Sequence, residues 1–146
     1  MNEPIIDQIL GSDADLVTAL AAAGLPTDDL GQACRSFFRF REHGHLIGFI
    51  GWETTDEATA LLRSLVVVPP LRGKGLGTAM TNWALMRLAE LGIGDAYLLT
   101  TTAEAFAVRL GFARVDRASV PPSIGQSRQF ARLCPNSAVL LHRELP

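Results

Sequence analysis

The chain is poor in cysteine: two residues, Cys34 and Cys134, a hundred positions apart and with no Cys-x-x-Cys pair. That excludes a disulfide scaffold and suits a reduced cytoplasm. No apolar run approaches the roughly 20 residues that span a bilayer, and the opening Met1-Asn2-Glu3-Pro4 lacks the basic region and apolar core of a signal peptide. A cytoplasmic protein without membrane partners is expected. Basic residues are not in excess either. Thirteen Lys and Arg stand against fifteen Asp and Glu, a net charge of −2, which argues against general nucleic-acid binding. Of the histidines, His43 and His45 flank a turn and His142 sits near the end. None has a Cys, His or acidic neighbour at ligand spacing, so no metal is assigned. There is no Gly-x-Ser-x-Gly and no Cys/His motif for a covalent acyl-enzyme. Repeats, low-complexity tracts and linkers are absent as well.

What remains is an ordinary globular composition, 48% apolar and 19% charged, long enough for one domain, residues 1–146, with a core of its own. Ile5–Leu10 reads as a short opening strand. Ser12 is a plausible N-cap for a helix carrying Leu16, Ala19, Leu20 and Ala23 on one face and ended by Gly24 and Pro26. Ser36–Arg41 and His45–Trp52 read as a hairpin around His43-Gly44. Phe38 and Phe40 alternate there with Arg39 and Arg41, predicting one buried and one polar face. Gly48 and Gly51 suggest a bulge or close backbone approach. Ala58–Val68 is a third strand, apolar on both faces in its second half, as a central strand is. Leu76, Ala79, Met80, Trp83 and Ala84 then space out a helix reaching about Leu91. Asp95–Thr100 is a strand, Ala103–Leu110 a short helix, and Gly111-Phe112 a turn into another strand. A last helix over Ser123–Leu133 and a closing strand over Ala138–Glu144 complete the chain.

Between the central strand and its helix lies Arg72-Gly73-Lys74-Gly75-Leu76-Gly77, preceded by Pro69-Pro70. Strand, proline stop, glycine loop and helix make an anion site: glycines let backbone N–H groups turn outward, and the helix N-terminus adds partial positive charge. The spacing excludes a Walker loop, because Lys74 precedes Gly75 rather than Ser or Thr. It also misses Gly-x-Gly-x-x-Gly, because Thr78 stands where the third glycine belongs. A plain strand-to-helix turn needs fewer glycines and neither charge.

Val67-x-Pro69-x-x-Arg72-Gly73-x-Gly75-x-Gly77, together with Ala103-x-x-Phe106-x-x-x-x-Gly111-Phe112, resembles the GNAT superfamily of N-acetyltransferases. Outside these blocks the match is in the order of elements. The resemblance implies an α/β fold with a central mixed, mostly antiparallel sheet of about six or seven strands flanked by helices. It implies acetyl-coenzyme A as co-substrate. The backbone of Leu65, Val66 and Val67 would pair with the pantetheine arm. The amides of Gly73, Lys74, Gly75, Leu76, Gly77 and Thr78 would hold the pyrophosphate, with Arg72 adding charge; a surface ion pair is the other reading of Arg72. Thr100 stands where the family often places an Asn.

The implied reaction is direct attack of an amine on the thioester, needing a base, an oxyanion donor and an acid for the thiolate. A backbone N–H near Val66 or Val67 would polarise the carbonyl. The family's usual acid, a Tyr, is replaced here by Ala107. Glu53 is the candidate for a water-mediated base, against a solvated strand-end carboxylate. Cys134 has an ordinary pKa near ~8.5, in range for a proton donor, against a buried small hydrophobe. Ser64 could hydrogen-bond the thiolate. Arg63 and Arg39 could bind a substrate carboxylate bidentately, against exposed strand positions.

Leu61–Val67, Tyr97–Glu104 and Phe130-x-x-Leu133-Cys134-Pro135 look like the small arsenic-resistance N-acetyltransferases, themselves similar to amino-acid N-acetyltransferases. An amino acid or amino-acid-like toxin is the implied small-molecule acceptor. A non-catalytic acyl-CoA sensor or partner subunit is the alternative, and a homodimer stays open.

Overall fold

The computed structural model describes residues 3–127 and 138–146. Seven strands form one mixed sheet in the order β1-β2-β3-β4-β5-β7-β6. The chain runs β1 (Ile5–Ile9), α1 (Ala14–Ala22), β2 (Arg35–Glu42), β3 (His45–Thr54), β4 (Thr59–Val67), α2 (Leu76–Glu90), β5 (Asp95–Thr100), α3 (Glu104–Arg109), β6 (Ala113–Arg114), α4 (Pro122–Gly125) and β7 (Val139–Glu144). The expected architecture is therefore present. β4 and β5 are parallel, in register from Thr59↔Asp95 to Leu62↔Leu98, as a strand–helix–strand crossover requires. By its internal contacts the chain divides into two compact units. One comprises the chain up to Trp52 and Ser64–Ala84; the other comprises Glu53–Arg63 and everything from Leu85 onward.

In the first unit α1 is started by Asp13, whose Oδ1 accepts from Leu16 N at 3.1 Å. Ser12, the expected cap, lies one residue too early; Asp13 has the extended backbone, and an N-cap needs it. The helix ends at Gly24, φ 72°, with Leu25 N returning to Leu20 O at 2.9 Å. Leu16 and Leu20 are fully buried and pack with Leu30, Phe37, Phe49 and Val66. The loop leading to β2 is held by Asp29, itself fully buried, which accepts from Arg35 Nε at 3.1 Å and Nη2 at 3.0 Å.

β2 departs from its expected alternation. Phe38 and Phe40 are buried in an aromatic cluster with Trp52 and Trp83. Phe37, on the opposite face, is buried against α1, so the face expected to be polar is covered as well. Arg39 and Arg41 on that face are half-buried and share Asp7, at 3.4 and 2.8 Å. Gly48 and Gly51 are close approaches, as expected. A Cβ on Gly48 would lie 2.0 Å from Val66 O, and one on Gly51 would lie 2.6 Å from the Phe37 ring.

In the second unit β5 pairs antiparallel with β7 from Asp95↔Glu144 to Thr100↔Val139. Leu61, Ile124 and Leu140 form one of its buried clusters, with Tyr97, Leu99, Val115 and Val120 against them. The helix expected over Ser123–Leu133 ends at Gly125 instead: Gln126 and Ser127 turn, with Ser127 N on Ile124 O at 3.0 Å. A glycine is a weak helix former. Residues 128–133 of that expectation lie outside the described residues. The strand after Phe112 is only two residues long.

Candidate active site

β4 is buried from Thr59 to Ser64 and then alternates: Leu65 and Val67 half-buried, Val66 buried. The change falls at Ser64, whose φ of 61° is left-handed, a conformation disfavoured by roughly 1–2 kcal/mol for a residue with a side chain. Hydrogen bonds to β3 locate the cause. Thr55 N donates to Thr59 O at one end of the strand pair, and Val68 N donates to Ile47 O at the other. Between those bonds the chain takes eight steps along β3 and nine along β4. The ninth is a β-bulge, which bends the strand and re-aims the residues beyond it. The register with β5 ends at Leu62, whereas β4 continues to Val67.

Past the strand, Pro69–Leu71 makes one 3₁₀ turn, a place where proline's fixed φ and missing N–H cost little. Arg72 returns to an extended conformation, φ −67° and ψ 151°. Its Nε donates to Val67 O at 3.0 Å. Gly73 and Gly75 come next, each with φ 80°, and a Cβ built on either would meet nothing within 4 Å. These glycines serve conformation, not packing, and the space beside them is open. Successive amides in such a turn form a concave nest for an anion. α2 begins at once: Ala79 N donates to Gly75 O at 3.1 Å. The amides of the first turn have no partner within the helix. Arg72, Gly73, Lys74, Gly75 and Thr78 are exposed, and Leu76 and Gly77 half-buried. The residues of the expected loop thus lie in one exposed turn at the start of α2, with Leu65, Val66 and Val67 leading into it and open space beside the glycines.

The remaining candidates scatter. Glu53, at the end of β3, is buried at 7% exposure, and Arg63 and Ser64 on β4 are buried at 5% and 8%. The solvated reading of Glu53 and the exposed reading of Arg63 do not hold. Arg39 is engaged by Asp7 and, at 3.8 Å, by Asp13. Thr100 ends β5, and its Oγ1 accepts from Thr102 N at 3.2 Å and Ala103 N at 2.9 Å; it holds the turn that leads to α3, whose own N-cap, Ala103, makes no side-chain cap bond. Thr101 and Thr102 border an open hollow of about 570 Å³ with Glu104 and Arg109. Ala107 is 1% exposed, on the inner side of α3. Cys134 lies outside the described residues.

A polar group that sequence reasoning missed lies in the second unit. His142 Nε2 is 2.7 Å from Asp95 Oδ1, and its ring lies 4.8 Å from that of Tyr97. Burial first, then the charges of Asp95 and Asp56, raise the Tyr97 phenol above its ordinary value. Asp56 is itself lowered, chiefly by the Ser123 hydroxyl at 2.7 Å and then by the Ala58 amide at 2.9 Å. The β5–β7 register that joins Tyr97 to His142 has no local sequence signal. Among the described residues no group of three or more His, Cys, Asp or Glu is placed to hold a metal ion. No described helix is long and apolar enough to cross a membrane.

Comparison with known proteins agrees with this geometry. The family model of the acetyltransferase (GNAT) family matches residues 13–112. A curated relative, an uncharacterized N-acetyltransferase of Chlorobaculum tepidum, is 29% identical over 62% of this chain and 57% of its own length. The N-acetylglutamate synthase of Neisseria gonorrhoeae, solved with coenzyme A and N-acetyl-glutamate, superposes with a TM-score of 0.75 at 16% identity. That match covers 99% of this chain but only 36% of the synthase. An acetyltransferase of Streptococcus agalactiae gives 0.74 at 17% identity, over 99% of this chain and all of that one. The chain therefore spans little more than half of the curated relative and about a third of the synthase. The family match covers more than half of the sequence and includes strand β4, the glycine loop and α2: this chain belongs to the acetyltransferase (GNAT) family.

Proposed function

We propose that the chain is a single N-acetyltransferase domain, acting in the cytoplasm, that moves the acetyl group of acetyl-coenzyme A to the amine of a small molecule, an amino acid or an amino-acid-like toxin. The observation that carries the reading is the loop itself: two left-handed glycines beside open space, at the start of a 15-residue helix. Backbone amides there would hold the pyrophosphate, and the edge of β4 at Leu65–Val67 would receive the pantetheine arm.

The neutral amine attacks the thioester carbon, the C–S bond breaks, and the proton shed by the nitrogen must leave while the thiolate gains one. An amide near Val66 or Val67 would stabilise the oxyanion. Glu53, buried at the end of β3, is the proposed base, acting through water. Glu53→Gln should lower kcat by about 10²–10⁴-fold if the role is general-base catalysis, with KM for the acetylated coenzyme unchanged. Cys134 is the proposed proton donor to the leaving thiolate, and Ser64 a hydrogen-bond donor to it. Arg63 and Arg39 are each proposed as a partner for an acceptor carboxylate. The acceptor class is supported by the synthase neighbour, whose structure holds N-acetyl-glutamate.

The test is a free-thiol assay with acetyl-coenzyme A over a panel of amines, amino acids first, beside a calorimetric titration of coenzyme A. Amine-dependent thiol release is the expected result. No heat with coenzyme A would overturn the reading. Binding without turnover over the whole panel would favour a non-catalytic acyl-CoA sensor, a reading that Ala107 keeps in view because it puts no proton donor at the family's tyrosine position.

A further inference from the structure

Arg72 opens the phosphate loop, yet its side-chain hydrogen bond goes elsewhere: Nε donates to the carbonyl of Val67, five residues back, at 3.0 Å. That carbonyl ends β4, two residues before the proline turn. The bond therefore spans the turn and ties the mouth of the glycine loop to the strand edge. Gly73 and Gly75 beyond it have no side chain to make such a tie, the space beside them is open, and glycine backbones lose the most freedom when ordered. Arg72 is solvent-exposed, so the bond adds little to global stability. Its effect is on direction.

We infer that Arg72 is a positioning residue. Its Nε–H fixes the Val67 carbonyl and the exit of the strand, so that strand edge and amide nest are presented in one preformed arrangement. A carbonyl oxygen has two lone pairs, so holding one from the loop side leaves the other for a ligand amide. This rests on the coenzyme-binding reading and assigns Arg72 a task within it that a phosphate ion pair would not perform.

Two substitutions separate the tasks. Glutamine carries an N–H donor the same number of bonds from Cα as the arginine Nε but no charge. Lysine carries the charge but has a methylene at that position. Loss of an exposed hydrogen bond predicts that Arg72→Lys weakens coenzyme A binding about 3–10-fold, while Arg72→Gln stays within about twofold of the unaltered protein. Pantetheine, which has no phosphate, should show the same ranking by NMR titration. The opposite order, with lysine preserving binding and glutamine losing it, or a loss confined to coenzyme A, would overturn the inference in favour of a phosphate contact.

A ligand-free readout makes the result independent of function. The backbone carbonyl ¹³C resonance of Val67 should move in Arg72→Lys and hold its place in Arg72→Gln, with unchanged melting temperatures. An unmoved resonance in the lysine variant would refute the bond even if no coenzyme bound at all.

Discussion

At the scale of single residues, Gly48 and Gly73 fail for opposite reasons when given a side chain. Gly73 has room but the wrong φ; Gly48 lacks room, its added Cβ falling 2.0 Å from Val66 O. Gly73→Ala should cost about 1–2 kcal/mol of backbone strain and a larger share of coenzyme affinity. Gly48→Ala should cost at least about 1–3 kcal/mol of overpacking between two backbones; urea denaturation of both variants checks the order. Asp56 gives a pH signature. Its pKa is lowered below 3.8 mainly by Ser123, so the folded state favours the carboxylate. The resulting stabilisation is complete above the unfolded value and disappears as pH falls through the folded one. Melting curves of Ser123→Ala should therefore lie slightly below those of the parent near neutrality and converge with them in acid. Glycines that need φ > 0 or close approach leave a mark in the sequence, and Gly48, Gly51, Gly73 and Gly75 were all legible. Ser64 was not, because a serine gives no sign that its backbone is left-handed.

At the scale of elements, the helix and strand periods carried most of the reading, since burial of Leu16 and Leu20 on one side, or of a whole strand, repeats over several residues. Ends were harder. Ser12 and Asp13 are both good caps by type, and only backbone direction chose Asp13. Asp13→Ala should destabilise the protein by about 1 kcal/mol and Ser12→Ala by almost nothing, a difference thermal melts resolve. Asp13 also approaches Arg39 at 3.8 Å, so a double variant with Arg39→Met would separate the cap from the ion pair. β6 shows the opposite limit: two residues, Ala113 and Arg114, paired with His142 and Leu141, are too few to form a pattern. The alternation of β2 misled because both of its faces are covered. Phe37 meets α1, while Arg39 and Arg41 beside it bury their stems and keep their charge on Asp7.

At the scale of the whole molecule, the order of elements and the glycine loop were enough to anticipate a seven-stranded mixed sheet with a parallel β4–β5 step. Proton-transfer roles were not legible, because they depend on which side chains the register of distant strands sets side by side, as it does Tyr97 and His142. The nine-against-eight count between β3 and β4 carries one more consequence. A bulge sets two residues opposite one, so the pairs beyond it keep their faces while the strand bends and twists. Excising residue 64 would leave Val66 on its buried side but straighten β4 just past Leu62, where its register with β5 ends. The shortened protein should bind little or no coenzyme A by calorimetry even where circular dichroism reports an intact sheet. Any redesign that straightens this strand for the sake of regularity would be trading its proposed ligand edge for a tidier ladder.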